Sequence, residues 1–451
     1  MANRFFCLLL VLGSMSVVVH TDIFASSSET SSALLLGFLL LAAYCTGGLL
    51  EIFGLPRITG YMIAGLFLGP YFLHFYSATA IAELDFLNSM ALAFIAFCAG
   101  GELKAGSIRK NLKSIASLVA GVTGIVFFGV SSTVLAISSF IPFMAAYPFA
   151  IRIAISALFG VIAVARSPSS AFAIIRETKA EGEYTNIVLS VTIVMDVLII
   201  VLFGIVISVC QIAIAPDGVF DPLFFFHLLF EICIAAVLGF LLGKGIVYLM
   251  DKVRMEFPVL AIAVGFLVIK FSHLLGDYFH EIHDISINIE PLLMCLAAGF
   301  TVQNFSKYGS SFLAKMDRVS LPIYVGFFAI TGASINVDII RAGWMLGVTI
   351  VVVRIAMVFI GSYMSGRLAG DSPRIYRHTW MGFITQAGVS IGLLSEIARR
   401  FPEIGVPIQS ILIASITVNQ IVGPVAFKYA LFRVGETNVG SGRSDSFAKP
   451  S

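Results

Sequence analysis

The chain has 451 residues, of which 59% are hydrophobic and 12% are charged, and its formal net charge is +2. Soluble globular domains contain roughly 45–50% apolar and roughly 25% charged residues, so this composition excludes an ordinary soluble domain. The small net charge gives no support to nucleic-acid binding. Because the apolar residues form runs of about 20 separated by short polar loops, we expect an all-α polytopic membrane protein.

Residues 1–25 permit two interpretations. Arg4 precedes an apolar run over residues 5–19, which is short for a membrane span and is typical of the hydrophobic part of a signal peptide. A cleavage site after Ala25 would place the large Ile23 at its −3 position, which favours an extra N-terminal helix instead. A cleaved signal peptide and an additional helix therefore both stay open.

From residue 33 onwards we expect about thirteen transmembrane helices, followed by a disordered tail over residues 432–451. Their approximate ranges are 33–53, 58–76, 85–103, 112–140, 147–176, 186–208, 223–248, 257–275, 287–305, 319–339, 341–368, 375–398 and 407–431. Lys and Arg are concentrated in alternate loops, and such loops are cytoplasmic by the positive-inside rule. The tail and the C-terminus are therefore expected in the cytoplasm.

An odd number of spans fits two inverted repeats, residues 33–208 and 257–431, joined by a linker helix over residues 223–248. The fifth span contains ARSPSSA, Ala165 to Ala171, and its proline interrupts a helix. The corresponding span of the second repeat contains the polar, glycine-bearing ITQAGVSIG, Ile384 to Gly392. Paired discontinuous helices that cross at mid-membrane are the best sequence indication of a transporter's binding site.

A single carboxylate, Asp196, lies in the apolar run over residues 188–208. An ionised side chain at the bilayer centre costs about 2.5–3.5 kcal/mol on insertion scales, so Asp196 is a candidate binding residue. The structural alternative is a permanent ion pair between Asp196 and Arg354. Thr192 lies one helical turn earlier and could ligate a cation with its hydroxyl, or only bond its own backbone. Ser169 and Ser170 are expected to cap the helix after the first break.

Six segments resemble motifs of one transporter family, in the family's order and across residues 33–431. They are GLPRITGYMIAGLFLGP from Gly54, FIAFCAGGEL from Phe94, ARSPSSAFAIIRE from Ala165, MDVLIIVL from Met195, IYVGFFAITGASINV from Ile323 and VVVRIA from Val351. The family is the monovalent cation:proton antiporter superfamily, which includes the sodium/hydrogen exchangers. The resemblance implies a secondary active antiporter that exchanges Na⁺ or K⁺ for H⁺ by alternating access, as a homodimer in the cell membrane.

The resemblance also assigns roles to individual residues. Ser167 occupies the family's Asp/Ser position at the broken helix and becomes a candidate cation ligand beside Asp196 and Thr192. Arg354 stands where the family has Lys or Arg and becomes a supporting partner of the site. Gln386, at the second break, could offer a polar group to the site or only satisfy the backbone that the break frees.

Two residues depart from the family pattern. Met195 stands where electrogenic members have Asp and many electroneutral members have Asn, so Asp196 would be the one titrating group of the pair. We therefore predict electroneutral 1:1 exchange. Arg166 stands where the family usually has Thr, and a cation at this position would repel the transported cation unless it points away or pairs with an acid. Glu102 at the end of the third span, or the cytoplasmic mouth, could receive it.

Other functions are weaker alternatives. A cation channel, or a sodium-coupled symporter of the same fold type, would share most of these features. An enzyme is not expected, because the spans contain no Ser/His, Asp/Asp or H-E-x-x-H set. The scattered cysteines predict neither a disulfide nor a resident metal, and HLLGDYFHEIHD, His273 to Asp284, is read as a solvated loop. No cofactor is expected, and the short tail is not expected to hold a nucleotide-gating domain.

Overall fold

The fold is taken from a computed structural model of the chain. The structure describes residues 5, 8, 9, 11–15, 28–214, 222–253, 263–268, 270–272, 274, 291–386 and 388–437. These residues form helices and connecting turns and contain no β-strand, which confirms the all-α prediction. Most of the loop with the histidines, nine residues of the eighth expected span and most of residues 1–25 lie outside the described residues.

Thirteen of the longer helices in the described residues are labelled in chain order. Where a span is interrupted, each helical part has its own label. They are α1 (Ser28–Ile52), α2 (Arg57–Leu68), α3 (Asp85–Glu102), α4 (Leu112–Ile137), α5 (Phe149–Val164), α6 (Pro168–Thr178), α7 (Glu183–Ile214), α8 (Pro222–Val253), α9 (Pro291–Phe305), α10 (Gly309–Ala333), α11 (Val337–Ala369), α12 (Gly388–Arg400) and α13 (Pro402–Val434). Shorter helical turns connect several of them.

Six helical segments of the described chain are long and apolar enough to cross a membrane. They are Leu112–Phe140, Phe149–Thr178, Glu183–Gln211, Phe230–Lys252, Gly343–Ala369 and Pro402–Val434. Shorter apolar helices, among them α2, α3 and α9, accompany them. Length and composition of these helices support an integral membrane protein.

The helices pack into two groups. α4, α5, α7, α11, α12 and α13 contact one another, and we call this group the first bundle. The second bundle contains α1, α2, α3, α9 and α10, with α8 packed on α9. The short helix α6 touches α7 and α13 of the first bundle and α2 and α3 of the second, so it lies at the border between the two.

Glycines allow two close helix crossings inside the second bundle. At the crossing of α2 with α10, Gly65 faces the carbonyl oxygen of Ala329 and Gly332 faces that of Met62. At the crossing of α3 with α9, Gly100 faces the carbonyl oxygen of Leu296 and Gly299 faces that of Phe97. A Cβ atom at any of these glycines would collide with the opposite backbone, so the helices touch main chain to main chain.

Both predicted helix breaks are present. α5 ends at Val164, Ala165 and Ser167 are extended, and Pro168 begins α6 because its missing N–H costs nothing at a helix start. The second break follows a 3₁₀ turn, Thr379–Phe383, and lies between that turn and α12. The backbone N–H of Ser167 donates to the carbonyl of Thr385 at 3.1 Å, so the two interruptions are in contact.

The last helix is longer than the sequence predicts. α13 continues through residues 432–434 and ends at Gly435, which has φ +78°. The side chain of Glu436 then accepts hydrogen bonds from the backbone N–H groups of Tyr184 and Thr185 at 2.8 Å and caps the start of α7. The boundary of the tail therefore lies after Glu436, because these contacts attach the preceding residues to the helical part.

Candidate functional site

The two breaks bring unpaired backbone groups together inside the protein. We call residues 165–167 and 384–386 the crossover. A helix leaves its last carbonyls and its first N–H groups without intrahelical partners, and burial without a substitute partner is costly. The free main-chain groups at the crossover therefore need hydrogen bonds from the side chains around them.

Arg354 supplies most of these bonds. It lies on α11 and is completely buried. Its Nε donates to Ala163 O at 2.8 Å and its Nη1 to Ile384 O at 2.7 Å. Its Nη2 donates to Ala165 O at 3.2 Å and to Phe383 O at 3.3 Å. One guanidinium thus satisfies carbonyls at both breaks, and its charge is placed favourably at the C-terminus of α5.

The first break is capped by Ser167, and the expectation that Ser169 and Ser170 are the caps is wrong. The Oγ of Ser167 accepts a hydrogen bond from the N–H of Ser170 at 3.2 Å and lies 3.0 Å from the hydroxyls of both neighbouring serines. A serine at this position satisfies one of the free N–H groups of α6. Ser167 is buried where the two breaks touch. Its hydroxyl oxygen and the carbonyl oxygens freed by the breaks therefore lie in the same part of the protein.

Arg166 and Met195, the two departures from the family pattern, touch each other. Arg166 is buried, and its Nε donates to the sulfur of Met195 at 3.1 Å. Its Nη1 donates to Phe383 O at 2.6 Å, and its guanidinium carbon lies 4.3 Å from the centre of the Phe383 ring. Arg166 therefore points into the crossover and reaches neither Glu102 nor the cytoplasmic mouth.

Asp196 and Thr192 lie on α7, which packs against both α5 and α6. Asp196 is partly buried and follows Met195, so it lies beside the crossover. The buried hydroxyl of Thr192 donates to the carbonyl of Val188 at 2.8 Å, which is the structural alternative for this residue. That bond uses the hydroxyl proton, and the lone pairs of the oxygen could still accept a cation.

Gln386 joins the second break to α5 and α13. Its Nε2 donates to Ile162 O at 2.9 Å, and its Oε1 accepts from Asn419 Nδ2 at 2.7 Å. Gln386 therefore satisfies backbone that the first break frees, as one of the two sequence interpretations has it. Asn419 was not anticipated, although the polar residues Ser415, Thr417, Asn419 and Gln420 in an otherwise apolar span could have indicated it.

Glu102 lies away from these residues. It forms an ion pair with Arg176 at 2.6 Å, and Arg176 also pairs with Asp317 at 2.8 Å. Arg176 is eight residues after Pro168, about 12 Å along the axis of α6. Hydrogen bonds thus join Ser167, Met195, Arg166, Arg354 and Gln386 to the crossover or to the backbone beside it, and Asp196 and Thr192 lie on the same helix as Met195. Glu102 lies at the opposite end of α6. Among the described residues, no group of His, Cys, Asp and Glu is arranged to hold a metal ion.

A family model covers nearly the entire chain. The model described as "Sodium/hydrogen exchanger, transmembrane" matches residues 10–433. The chain belongs to the sodium/hydrogen exchanger family. Members of this family are ion antiporters, so the protein is a membrane transporter and not an enzyme.

Individual relatives agree with this family. The chain is 22% identical over 389 residues to "Probable Na(+)/H(+) antiporter 3" of Methanocaldococcus jannaschii, a match that covers 84% of this chain and 92% of the relative. It is 22% identical over 360 residues to "Probable Na(+)/H(+) antiporter GerT" of Bacillus cereus, covering 78% and 84% of the two chains.

Solved structures of another sodium/hydrogen exchanger share the fold. The chain resembles the sodium proton antiporter MjNhaP1 from Methanocaldococcus jannaschii at pH 8 with a TM-score of 0.63, covering 90% of this chain and 96% of the other. A structure of MjNhaP1 from an electron microscopy map gives a TM-score of 0.70, with coverages of 92% and 98%. Sequence identity is 17% in both comparisons, so the likeness concerns the fold.

Proposed function

We propose that this protein exchanges a monovalent cation, Na⁺ or K⁺, for a proton by alternating access, and that Asp196 carries both in turn. The proposal is supported chiefly by the position of Asp196 on a membrane-length apolar helix. Its neighbour Met195 contacts Arg166, which lies where the two interrupted helices meet. A carboxylate in such a place serves a function by default, and broken helices supply the polar backbone that a dehydrated ion needs.

The chemistry of exchange follows from one shared carboxylate. A proton and a metal cation both neutralise Asp196, so binding of one displaces the other. Oxygen atoms are the preferred ligands of hard cations. Ser167 and Thr192 are both buried, and theirs are the hydroxyls we assign to this role. Arg354 and Gln386 hold the surrounding backbone in place through the hydrogen bonds described above.

We infer that one cation exchanges for one proton with no net charge transfer. Met195 has no ionisable group, so Asp196 is the one carboxylate kept of the pair that electrogenic relatives have. A site that holds either one proton or one monovalent cation carries the same charge in both loaded states. The exchange is then electroneutral.

We further propose about thirteen spans in two inverted repeats, with the breaks at mid-membrane. The reciprocal glycine crossings support this arrangement, because the repeat scheme relates α2 to α9 and α3 to α10 and so exchanges the α2–α10 crossing with the α9–α3 crossing. The distribution of basic loops supports a cytoplasmic C-terminus. A homodimer in the cell membrane is part of the same proposal, on the basis of the family.

The decisive experiment is a pH-dye assay on sealed vesicles with wild type and Asp196→Asn. We expect cation-dependent dissipation of a pH gradient by wild type and its complete loss in the variant, because Asn cannot alternate between a proton and a cation. Glu403→Gln, an exposed acid at the start of α13, is the matched control and should retain full exchange.

Three outcomes would contradict the proposal. Retained exchange in Asp196→Asn would remove Asp196 from the cargo site. Currents far above carrier rates without obligatory proton coupling would indicate a channel. Uptake of an organic solute together with Na⁺ would indicate a symporter. Repeating the assay with Na⁺, K⁺ and Li⁺ identifies the transported cation.

A further inference from the structure

Arg166 is an incompletely satisfied buried cation. A guanidinium has five N–H donors, and those of Arg166 reach a sulfur, one carbonyl and the face of an aromatic ring. Its Nη2 is buried without a hydrogen-bond partner. A sulfur is a weak acceptor, so these contacts compensate the charge poorly.

A second cation makes this arrangement more costly. Arg354 donates to the same Phe383 carbonyl as Arg166, which brings two buried guanidiniums close together. Within the described ranges, neither of them forms an ion pair with a carboxylate. Like charges at this separation repel each other, and burial strengthens the repulsion. A negative charge nearby is therefore required to offset them.

The carboxylate nearest along the chain to this contact is that of Asp196. Arg166 donates to Met195, and Asp196 is the next residue of α7, so the guanidinium contacts the helix turn that carries the carboxylate. A cation bound by Asp196 would lie at the same turn of α7. Met195 is neutral, so it adds no charge that would cancel this field.

We propose that Arg166 is an affinity-tuning residue: a fixed positive charge that offsets Asp196 in the empty site and weakens the binding of the transported cation. This inference rests on the proposed role of Asp196 as the cargo residue. Two unit charges about 10 Å apart at an effective dielectric constant of about 20 change a binding constant roughly tenfold. Arg166 acts through this field and does not need to touch the cation.

The test measures the apparent KM for Na⁺ and the maximal rate of exchange in proteoliposomes at one alkaline pH. Arg166→Gln and Arg166→Met remove the charge and keep a long side chain on Phe383, and both should lower the apparent KM roughly tenfold. Arg166→Lys keeps the charge and should stay within about twofold of wild type. Arg367→Gln, an exposed residue near the end of α11, is the control.

The outcomes distinguish tuning of cation affinity by Arg166 from a structural role of this residue at the break. An unchanged KM in the neutral variants, or an equal shift in the Lys variant, would overturn the proposal. Neutral variants that fail to fold would overturn it too, because they would assign Arg166 to holding the break together. If wild type shows exchange that Asp196→Asn abolishes, the proposed function stands whatever the Arg166 variants do. If wild type shows no exchange, both proposals fail.

Discussion

At the scale of single residues, Arg354 shows why a basic side chain belongs deep in this protein. The sequence allowed either a permanent ion pair with Asp196 or a supporting role at the site. The structure shows a completely buried guanidinium whose donors bond four carbonyls from two broken segments. An arginine suits this place because its planar fork presents several donors in fixed directions. Arg354 therefore replaces the helical hydrogen bonds that the breaks remove.

This role predicts a large loss of stability in Arg354→Met. Hydrogen bonds to charged groups contribute about 1.5–3 kcal/mol each, and the variant loses the four that Arg354 donates, so the loss should exceed about 4 kcal/mol. Arg354→Lys should recover only part of it, because an ammonium has three donors on one atom. Thermal unfolding in detergent measures both, with exposed Arg367→Met as the control. Full recovery by Lys would instead favour a role as a simple counter-ion.

At the scale of elements, α6 connects the crossover to the second bundle. Its first turn lies at the break, and its last turn carries Arg176 and Glu177. The carboxylate of Glu177 accepts from the backbone N–H of Arg57 at 2.9 Å and from Lys428 Nζ at 2.9 Å. Lys428 also donates to Leu55 O at 3.0 Å. These bonds attach α6 and α13 to the start of α2, so one end of α6 is fixed to both bundles.

The Lys428–Glu177 pair is buried enough to affect stability. The two side chains are 11% and 12% exposed, and removal of one partner from a buried pair costs about 3–5 kcal/mol. Lys428→Met should therefore lower the thermal unfolding temperature clearly. Lys428→Met with Glu177→Gln should recover part of the loss, because Gln can still accept from Arg57.

A surface pair supplies the matched comparison. Lys307 and Asp251 form an ion pair 2.7 Å long, but their side chains are 71% and 37% exposed. Lys307→Met should leave the thermal unfolding temperature nearly unchanged, since exposed ion pairs contribute little to stability. Equal effects of Lys428→Met and Lys307→Met would contradict the structural importance of the buried pair.

The breaks were predictable at this scale, and their partners were not. Pro168 and the polar ITQAG segment mark the two interruptions, because proline and glycine act through local backbone chemistry. The first break is filled by Arg354 of α11, about 190 residues away along the chain, and by the backbone of the second break. The contact between Arg166 and Met195 spans 29 residues and depends on how α5 and α7 pack. Local sequence patterns contain no information on such contacts.

At the scale of the whole molecule, periodicity and composition gave the helical class and the order of the spans. Apolar runs of membrane length have few alternatives to helices, since lipid cannot satisfy free backbone groups. The end of α13 was placed too early because the capping role of Glu436 depends on α7, 250 residues before it in the chain. The division into two bundles was also beyond the sequence, because it is defined by which helices touch.

The charge balance of transport is a property of the entire molecule and can be tested as such. Electroneutral exchange should proceed at the same rate in proteoliposomes held at zero potential and at 100 mV. One unbalanced charge per cycle would be worth about 2.3 kcal/mol at 100 mV, which corresponds to roughly a 50-fold change in the final cation gradient. A gradient that follows the potential would show that a second charge moves with the cargo.

The glycine crossings of the second bundle have a mechanical consequence. Where α2 meets α10 and α3 meets α9, each backbone fills the notch left by a missing side chain on the other helix. Sliding along such a crossing would drive a neighbouring side chain into the opposite main chain, so the four helices resist shear in both directions. We therefore expect these four helices to move as one rigid unit. The alternating access proposed above would then require a displacement at the border of the second bundle, where α6 lies.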